Sequence, residues 1–87
     1  MPPYDIQFKS SAAKEFRKLP PTIQQRMKTP INALKTDPRP SGAIKLKGSD
    51  QLYRIRVGDY RIVYSVDDVI KIVLITRIRH RRDVYQG

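Results

Sequence analysis

The stretch GSDQLYRIRVGDYRIVYSVDDVIKIVLITRIRHRRDVY, residues 48–85, decides the fold of this chain. Apolar and polar residues alternate in it, which predicts three consecutive antiparallel strands at residues 52–57, 60–66 and 70–78. The dipeptide Gly58-Asp59 between the first two strands is typical of a two-residue hairpin loop. Because a loop of this length fixes which residues face each other, the register of the hairpin follows from the sequence.

The predicted hairpin has one apolar face and one basic face. On the apolar face we expect three pairs across the strands: Val57 with Tyr60, Ile55 with Ile62, and Tyr53 with Tyr64. The opposite face receives Arg54, Arg56 and Arg61, and Arg56 lies directly across from Arg61. Facing like charges destabilise a strand pair, and arginine stays protonated at any usable pH. We therefore expect an anion to bind between these side chains, although solvent-facing strands are often basic without binding a ligand.

The second turn, near Asp67-Asp68, is compatible with two registers. A two-residue loop places Lys71 and Arg77 on the core side of the sheet. A three-residue loop that includes Val69 reverses the two faces of the third strand. It directs Ile70, Ile72, Leu74 and Ile78 to the core, and Lys71, Arg77 and Arg79 to the basic face together with Val73 and Ile75. We prefer the three-residue loop because it avoids the burial of unpaired charge.

The N-terminal segment predicts a strand followed by a helix. Residues 4–9 alternate between apolar and polar side chains, as in a short half-buried strand. Ser10 or Ser11 is expected to cap a helix at residues 12–19. Pro20 then ends this helix.

A second helix is predicted at residues 22–35. Pro21 suits its first turn, whereas Pro30 removes a backbone hydrogen bond and should kink or split it. Its apolar stripe should face the sheet and consists of Ile23, Met27, Ile31 and Leu34. Together these elements predict an α+β fold in one domain of residues 1–87, with two N-terminal helices packed on a small, mainly antiparallel sheet in the order β-α-α-β-β-β.

The composition is strongly basic, with 18 Lys and Arg against 8 Asp and Glu and a formal net charge of +10. This charge favours an anionic partner, which could be nucleic acid, the ribosome or an acidic protein. The chain has no Cys and one His, which argues against disulfides, a Cys nucleophile and zinc sites. No segment is long enough to span a membrane, and the N-terminus lacks the layout of a signal peptide. We expect a cytoplasmic protein that uses no metal or other cofactor.

The side chains best suited to catalysis or anion binding lie in residues 77–85, RIRHRRDVY. They are Arg77, Arg79, His80, Arg81, Arg82 and Tyr85. Metal-free RNA cleavage must deprotonate a 2′-hydroxyl, stabilise charge at phosphorus and protonate the leaving oxygen. Arginine suits the second task, and a tyrosine can stack on a base. His80 is the one side chain of this segment with an ordinary pKa near neutrality. It serves either as an acid or base or, as lone histidines more often do, in a structural role.

Four motifs resemble the RelE branch of the RelE/ParE toxin superfamily: KLKG at 45–48, YRIR at 53–56, GDYRIVY at 58–64 and HRRDVY at 80–85. The resemblance covers nearly the whole chain. It implies the toxin of a bacterial or archaeal type II toxin–antitoxin pair. Members of that branch cleave mRNA in the ribosomal A site and leave a 2′,3′-cyclic phosphate and a 5′-hydroxyl. The implied partners are the ribosome, mRNA and an acidic, RelB-like antitoxin, and operator DNA is bound only through the antitoxin complex.

The resemblance also implies roles for individual residues. Arg54 and Arg56 lie where well-studied members carry two lysines, the second of which acts as the base. Arg61 matches the arginine that grips the phosphate, and Arg79, or Arg77 if the alignment slips, matches one that helps to protonate the leaving group. Tyr85 matches a base-stacking tyrosine. The candidate catalytic residues are Arg56, Arg61, Arg79, His80 and Tyr85, and the candidate RNA-binding residues are Lys45, Lys47, Arg54, Arg77, Arg81 and Arg82.

Arginine at position 56 departs from the family pattern in a way that affects the chemistry. A crowded lysine can lose its proton near neutral pH, whereas an arginine cannot. Either His80 supplies the acid–base chemistry, or catalysis rests on orientation and charge stabilisation, or the toxin is weak.

Two other functions are compatible with the sequence. The ParE-like branch of the superfamily poisons DNA gyrase, but it generally lacks this arrangement of arginines and tyrosine. The third interpretation is a basic module that binds RNA or the ribosome without cleaving it, in which the arginines contact phosphates only.

Overall fold

The computed structural model describes residues 3–48 and 51–82. In chain order the elements are β1 Asp5–Phe8, α1 Ser10–Arg17, α2 Pro21–Ala33, β2 Ile44–Lys45, β3 Leu52–Val57, β4 Tyr60–Asp67 and β5 Ile72–His80. The strands form one sheet in the order β1-β5-β4-β3-β2, in which β1 runs parallel to β5 and the other pairs are antiparallel. The predicted fold of two helices on a mainly antiparallel sheet is confirmed, with the addition of the short edge strand β2.

Both helices pack on the same face of the sheet and form the core with it. The helices contribute Ala12, Met27, Ile31 and Leu34, and the sheet contributes Ile55, Ile62, Tyr64, Val66, Val73, Ile75 and Ile78. The three buried residues of the second helical segment recur at intervals of four and three residues, as expected of a single apolar stripe. Within the described residues, no helix covers the other face of the sheet, which we call the open face.

Two details of the helices differ from the sequence prediction. The first helix begins at Ser10, and its N-cap residue Lys9 makes no side-chain capping bond, so the predicted serine cap is wrong. Pro21 occupies the first turn of α2 as predicted. Pro30 lies inside α2 without splitting it, because the packing of Met27 and Ile31 against the sheet outweighs one lost backbone bond.

The first hairpin has the predicted register. Val57 pairs with Tyr60, Ile55 with Ile62, Tyr53 with Tyr64 and Arg56 with Arg61. Gly58 adopts a φ of 59°, in the left-handed region that favours glycine, and this permits the tight turn.

The second hairpin corrects both predicted registers. Asp67 pairs with Ile72, so residues 68–71 form the turn. Asp67 Oδ1 accepts hydrogen bonds from the backbone N–H groups of Val69 and Ile70 at 2.9 and 3.1 Å, as is typical of turn-forming aspartates. Ile70 is therefore exposed in the turn and does not enter the core. Lys71 also lies in the turn, where its Nζ sits 4.9 Å from the centre of the Tyr4 ring, away from the basic face.

A β-bulge at Thr76 explains why neither predicted register is right for the whole strand. Val63 pairs with Arg77 and Tyr64 with Ile75, so Thr76 is an extra residue in β5. Its hydroxyl donates to the carbonyl oxygen of Val63 at 3.1 Å. Before the bulge, Val73 and Ile75 face the core, whereas Ile72 and Leu74 face the open side, the reverse of the prediction. After the bulge the faces change over, so Ile78 is buried and Arg77 and Arg79 lie on the open face, as predicted.

A set of polar contacts fastens the loop after α2 to the sheet. The buried Tyr64 hydroxyl donates to the Pro38 carbonyl oxygen at 2.7 Å. Arg39 pairs with Asp68 at 2.7 Å, and Tyr4 donates to the same carboxylate at 2.6 Å. These two donors, with Arg39 the stronger, lower the pKa of Asp68 to about 2. Asp68 is therefore a structural turn residue.

We expect Tyr64→Phe to destabilise the protein by about 1–3 kcal/mol, because the buried Pro38 carbonyl loses its donor. Burial also raises the pKa of Tyr64 to about 12. The unfolded chain therefore ionises this tyrosine first. Its contribution to stability is fully present below about pH 10 and is lost as the pH rises toward about 12.

Urea unfolding at neutral pH and at about pH 11 tests this prediction. The wild type should lose more stability than Tyr64→Phe between the two pH values. Tyr4→Phe, which removes an exposed hydroxyl from Asp68, is the matched control and should cost less. Equal stability of Tyr64→Phe and wild type would show that the hydrogen bond to Pro38 contributes nothing.

Candidate functional site

Three arginines stand side by side across the open face. Arg56 on β3 pairs with Arg61 on β4, which in turn pairs with Arg79 on β5. We call these residues the arginine row. Neighbouring strands are about 4.8 Å apart, so the row spans only about 10 Å at the backbone. Arg56 is exposed, whereas Arg61 and Arg79 are half-buried. The row therefore presents closely spaced, permanent positive charges to solvent.

A second line of residues extends the basic surface. Arg54 pairs with Val63, and Val63 pairs with Arg77, one step along the sheet from the arginine row. The next line consists of Leu52, Ser65 and Leu74. The open face is thus strongly basic at the hairpin end of β3 and β4, and further along it carries the carboxylates of Asp67 and Asp5, which both pair with Ile72. Such a surface can bind phosphates at one end and less polar groups next to them.

Glu15 of α1 is a carboxylate that contacts the end of the arginine row. Its Oε2 lies 3.6 Å from Nε of Arg79, and its Oε1 accepts a hydrogen bond from the backbone N–H of Ile78 at 3.0 Å. Sequence reasoning missed this residue. Its only signal was that Glu15 is the sole glutamate of the chain, which says nothing about its contacts.

His80 lies on the other face of the sheet. It pairs with Tyr60, on the helix-covered side, and the two rings meet edge to face with centroids 5.0 Å apart. Its Nδ1 accepts a hydrogen bond from the backbone N–H of Arg82 at 3.1 Å. The structure therefore does not bring the imidazole together with the arginine row. The proposed acid–base role of His80 remains a sequence prediction without geometric support.

The other predicted site residues are dispersed. Lys45 pairs with Tyr53, whose ring stacks on buried Tyr64, so Lys45 belongs to the helix-covered side at the β2 edge. Lys47 is exposed in the turn after β2. Arg81 and Arg82 are exposed just after β5, where the Arg81 backbone N–H donates to the Asp59 carbonyl oxygen at 2.6 Å. Tyr85 lies outside the described residues.

A groove of about 460 Å³ between β1, α1 and α2 forms a second surface that sequence reasoning missed. Its apolar lining includes Ile6, Phe8, Phe16 and Ile31, and its basic lining includes Arg17, Lys28 and Lys35. We call it the helix groove. Among the strands that the structure describes, β1 lies at the edge of the sheet and pairs with β5 alone. The one available signal was the spacing of Lys28 and Lys35, which lie two turns apart in the predicted second helix, although the observed α2 ends before Lys35.

No three His, Cys, Asp or Glu side chains in residues 3–48 and 51–82 form a group that could hold a metal ion. In the same ranges, no helix is long and apolar enough to cross a membrane.

Known proteins resemble this chain along almost its whole length. Residues 6–85 match the family described as the ParE toxin of the type II toxin-antitoxin system parDE. The putative toxin RelE1 of Methanocaldococcus jannaschii is 34% identical, and the match covers 97% of both chains. The mRNA interferase toxin RelE of Escherichia coli K12 is also 34% identical, over 94% of this chain and 90% of the relative.

A solved structure agrees with these sequence matches. It is that of the archaeal RelE-RelB complex from Pyrococcus horikoshii OT3, with a TM-score of 0.80 and 31% identity. The match covers 90% of this chain and 94% of the other. Sequence, fold and the strand layout that carries the arginine row therefore agree. This chain belongs to the ParE toxin family of type II toxin–antitoxin systems and is a RelE-type toxin.

Proposed function

We propose that this toxin is a metal-independent endoribonuclease that cleaves mRNA on the ribosome and so inhibits translation. The observation that carries the proposal is the arginine row, which places Arg56 and Arg79 on either side of Arg61. The name of the Escherichia coli relative, an mRNA interferase, supports the choice of substrate. In the proposed reaction, the 2′-oxygen attacks the adjacent phosphorus, the bond to the 5′-oxygen breaks, and a 2′,3′-cyclic phosphate and a 5′-hydroxyl result.

The arginine row suits the charge that this reaction develops. The phosphorus passes through a state with additional negative charge on its oxygens, and guanidinium groups can grip those oxygens through paired N–H donors. Arg61 is at the centre of the row and can contact a phosphate together with either neighbour. Because the row is assembled before the substrate arrives, its repulsion is relieved when the phosphate binds.

Proton transfer is the task that the row cannot perform by itself. Arginine stays protonated, so Arg56 cannot take the proton of the 2′-hydroxyl. His80 is on the other face of the sheet. We infer that the proton of the 2′-hydroxyl leaves to water or to a group of the ribosome, that water or such a group also gives a proton to the departing 5′-oxygen, and that the toxin contributes orientation and charge stabilisation. A requirement for the ribosome is consistent with an arginine row that cannot itself act as a base.

Arg61→Ala should lower cleavage by about 100-fold or more, the usual effect of removing one donor from a site that stabilises developing charge. Growth arrest should be lost, while the fold and antitoxin binding remain. Cleavage is measured on an mRNA programmed on 70S ribosomes, with 3′ ends mapped. Arg26→Ala, which removes the same charge from an exposed position on α2, is the control and should cleave like wild type. Wild-type growth arrest by Arg61→Ala would locate the site elsewhere.

Arg56→Lys should speed cleavage and make its rate rise with pH. Beside Arg61, a lysine at this position loses its proton more easily and can act as a base, so its active fraction grows as the pH increases. The wild-type rate should change little between about pH 6 and 8, where no arginine titrates. His80→Asn, which keeps an acceptor for the Arg82 N–H, should retain the flat wild-type profile.

A different pH profile of the wild-type cleavage rate would indicate that the His80 imidazole acts as the acid or base. The evidence would be a wild-type rate that follows a group with a pKa near 6.5, together with loss of that dependence in His80→Asn.

We further propose that an acidic, RelB-like antitoxin neutralises the toxin by binding the helix groove. The related archaeal structure is a RelE–RelB complex. The groove combines an apolar floor with basic side chains from α1 and α2, which suits an amphipathic segment that carries carboxylates. The toxin should then reach operator DNA only through this partner. Both proteins are expected to act in the cytoplasm.

The double variant Lys28→Glu/Lys35→Glu should bind the antitoxin at least about tenfold more weakly, because rim charges are reversed. Titration calorimetry with the product of the neighbouring gene, at low and high salt, tests this. The matched control is Lys18→Glu/Lys47→Glu, which makes the same charge change at exposed positions outside the groove. Equal weakening by both double variants would indicate a general charge effect and no binding in the groove.

A second candidate function is inhibition of DNA gyrase, which the ParE description of the matched family favours. It predicts inhibited supercoiling and induction of the DNA-damage response with mRNA left intact. A third candidate, binding of RNA or the ribosome without cleavage, predicts strongly salt-dependent binding and no new 3′ ends. The ribosome assay therefore separates cleavage from the other two functions, and a gyrase supercoiling assay separates those two from each other.

A further inference from the structure

We propose that Glu15 positions Arg79 for catalysis, so that the first helix sets the geometry of one end of the arginine row. The inference rests on the proposed function, because it assigns Arg79 a part in the cleavage reaction. Glu15 itself does not touch the substrate. It acts through the Arg79 side chain, which it contacts through Oε2 at 3.6 Å.

The anchor for Glu15 is the outer edge of β5. Strand β1 pairs with β5 only as far as Ile75, so the later part of β5 has no neighbouring strand on that side within residues 3–48 and 51–82. α1 packs there, and Glu15 Oε1 accepts the N–H of Ile78 at 3.0 Å. This hydrogen bond satisfies an edge donor of the sheet. It also holds the Glu15 carboxylate next to Ile78, the residue before Arg79.

The fixed carboxylate holds the guanidinium from one side. Oε2 lies 3.6 Å from Nε of Arg79, so the charge contact is made at Nε and not at the two Nη groups of the fork. A phosphate is best gripped by paired N–H donors of the fork. A contact at Nε therefore restricts the orientation of the guanidinium and leaves its Nη groups for the substrate.

The contact also explains how the row stays assembled without substrate. Arg79 is adjacent to Arg61, and the two like charges repel. Without an anchored counter-charge, the Arg79 side chain would turn away into water. Glu15 offsets this repulsion at the Arg79 end of the row.

A purely structural role for the ion pair is disfavoured by exposure. The Arg79 side chain is 40% exposed and that of Glu15 is 26% exposed. Ion pairs this close to solvent contribute little to folding stability. Loss of the Glu15 charge should therefore affect the reaction much more than the fold.

Glu15→Gln is the direct test, since the amide oxygen can still accept the Ile78 N–H while the charge is lost. The cleavage rate at saturating programmed ribosomes should fall by on the order of 10-fold to 100-fold, with the half-saturating concentration unchanged. In an Arg79→Ala background, Glu15→Gln should cause no further loss. Asp5→Asn, the same charge change on β1, should cleave and melt like wild type.

Three outcomes would overturn the proposal. The first is a wild-type cleavage rate in Glu15→Gln. The second is a loss that multiplies with that of Arg79→Ala, because it would mean that the two residues act independently. The third is a melting temperature of Glu15→Gln far below that of Asp5→Asn, because it would assign Glu15 to the fold.

An NMR measurement separates failure of this proposal from failure of the proposed function. The Nε–Hε signal of Arg79, assigned by its loss in Arg79→Ala, should exchange slowly with water in the wild type and faster in Glu15→Gln. Absence of cleavage by wild-type protein would refute the ribonuclease function, whereas unchanged Arg79 exchange in Glu15→Gln would refute the positioning role whether or not RNA is cleaved.

Discussion

The register of the β3–β4 hairpin is the constraint on which the rest of the structure depends. The two-residue turn at Gly58-Asp59 fixes one set of pairs for both faces of the sheet. The same register that places Ile55 opposite Ile62 in the core places Arg56 opposite Arg61 on the open face. The repulsion between the arginines cannot be relieved by a one-residue slip, because that slip would expose the core. Charge clustering at the site is therefore built into the packing of the fold.

The bulge at Thr76 extends this arrangement to the third strand. β5 must bury Val73 and Ile75 against the helices and also present Arg79 beside Arg61. In a regular strand, Val73, Ile75 and Arg79 would all lie on the same face, so the two requirements conflict. One extra residue between them changes the parity and satisfies both. The Thr76 hydroxyl stabilises the irregularity through its bond to the Val63 carbonyl, within the same strand pair.

The two hairpins show how much of the fold could be predicted from the sequence. The first hairpin could be predicted in detail because its short loop leaves one register. The second hairpin could not be predicted in this way. The loop length and the bulge each decide which face of the sheet a residue of β5 occupies, and the alternation of the sequence does not show the two effects separately. His80 was grouped with the arginines by its position in the chain, yet adjacent strand residues point to opposite faces, which separates it from Arg79.

Contacts that cross between elements were beyond sequence reasoning. Whether Glu15 meets Arg79 depends on how α1 lies along β5, and the helical pattern gives only the face that α1 buries. The helix groove depends likewise on the gap between two helices and an edge strand. Composition indicated a basic protein, but not that its basic residues form two separate surfaces.

The two surfaces are physically connected through α1. On one side, Phe16 and Arg17 of this helix line the helix groove. On the other side, Glu15 contacts Arg79 at the end of the arginine row. A segment that fills the groove does not lie over the row, which is on the opposite face of the sheet, but it does contact the helix that holds Arg79. Because packed elements shift as units, a small displacement of α1 is transmitted to the Glu15 carboxylate. If both proposals hold, a partner in the groove would act on the arginines through the helix that carries Glu15 and would not need to cover them.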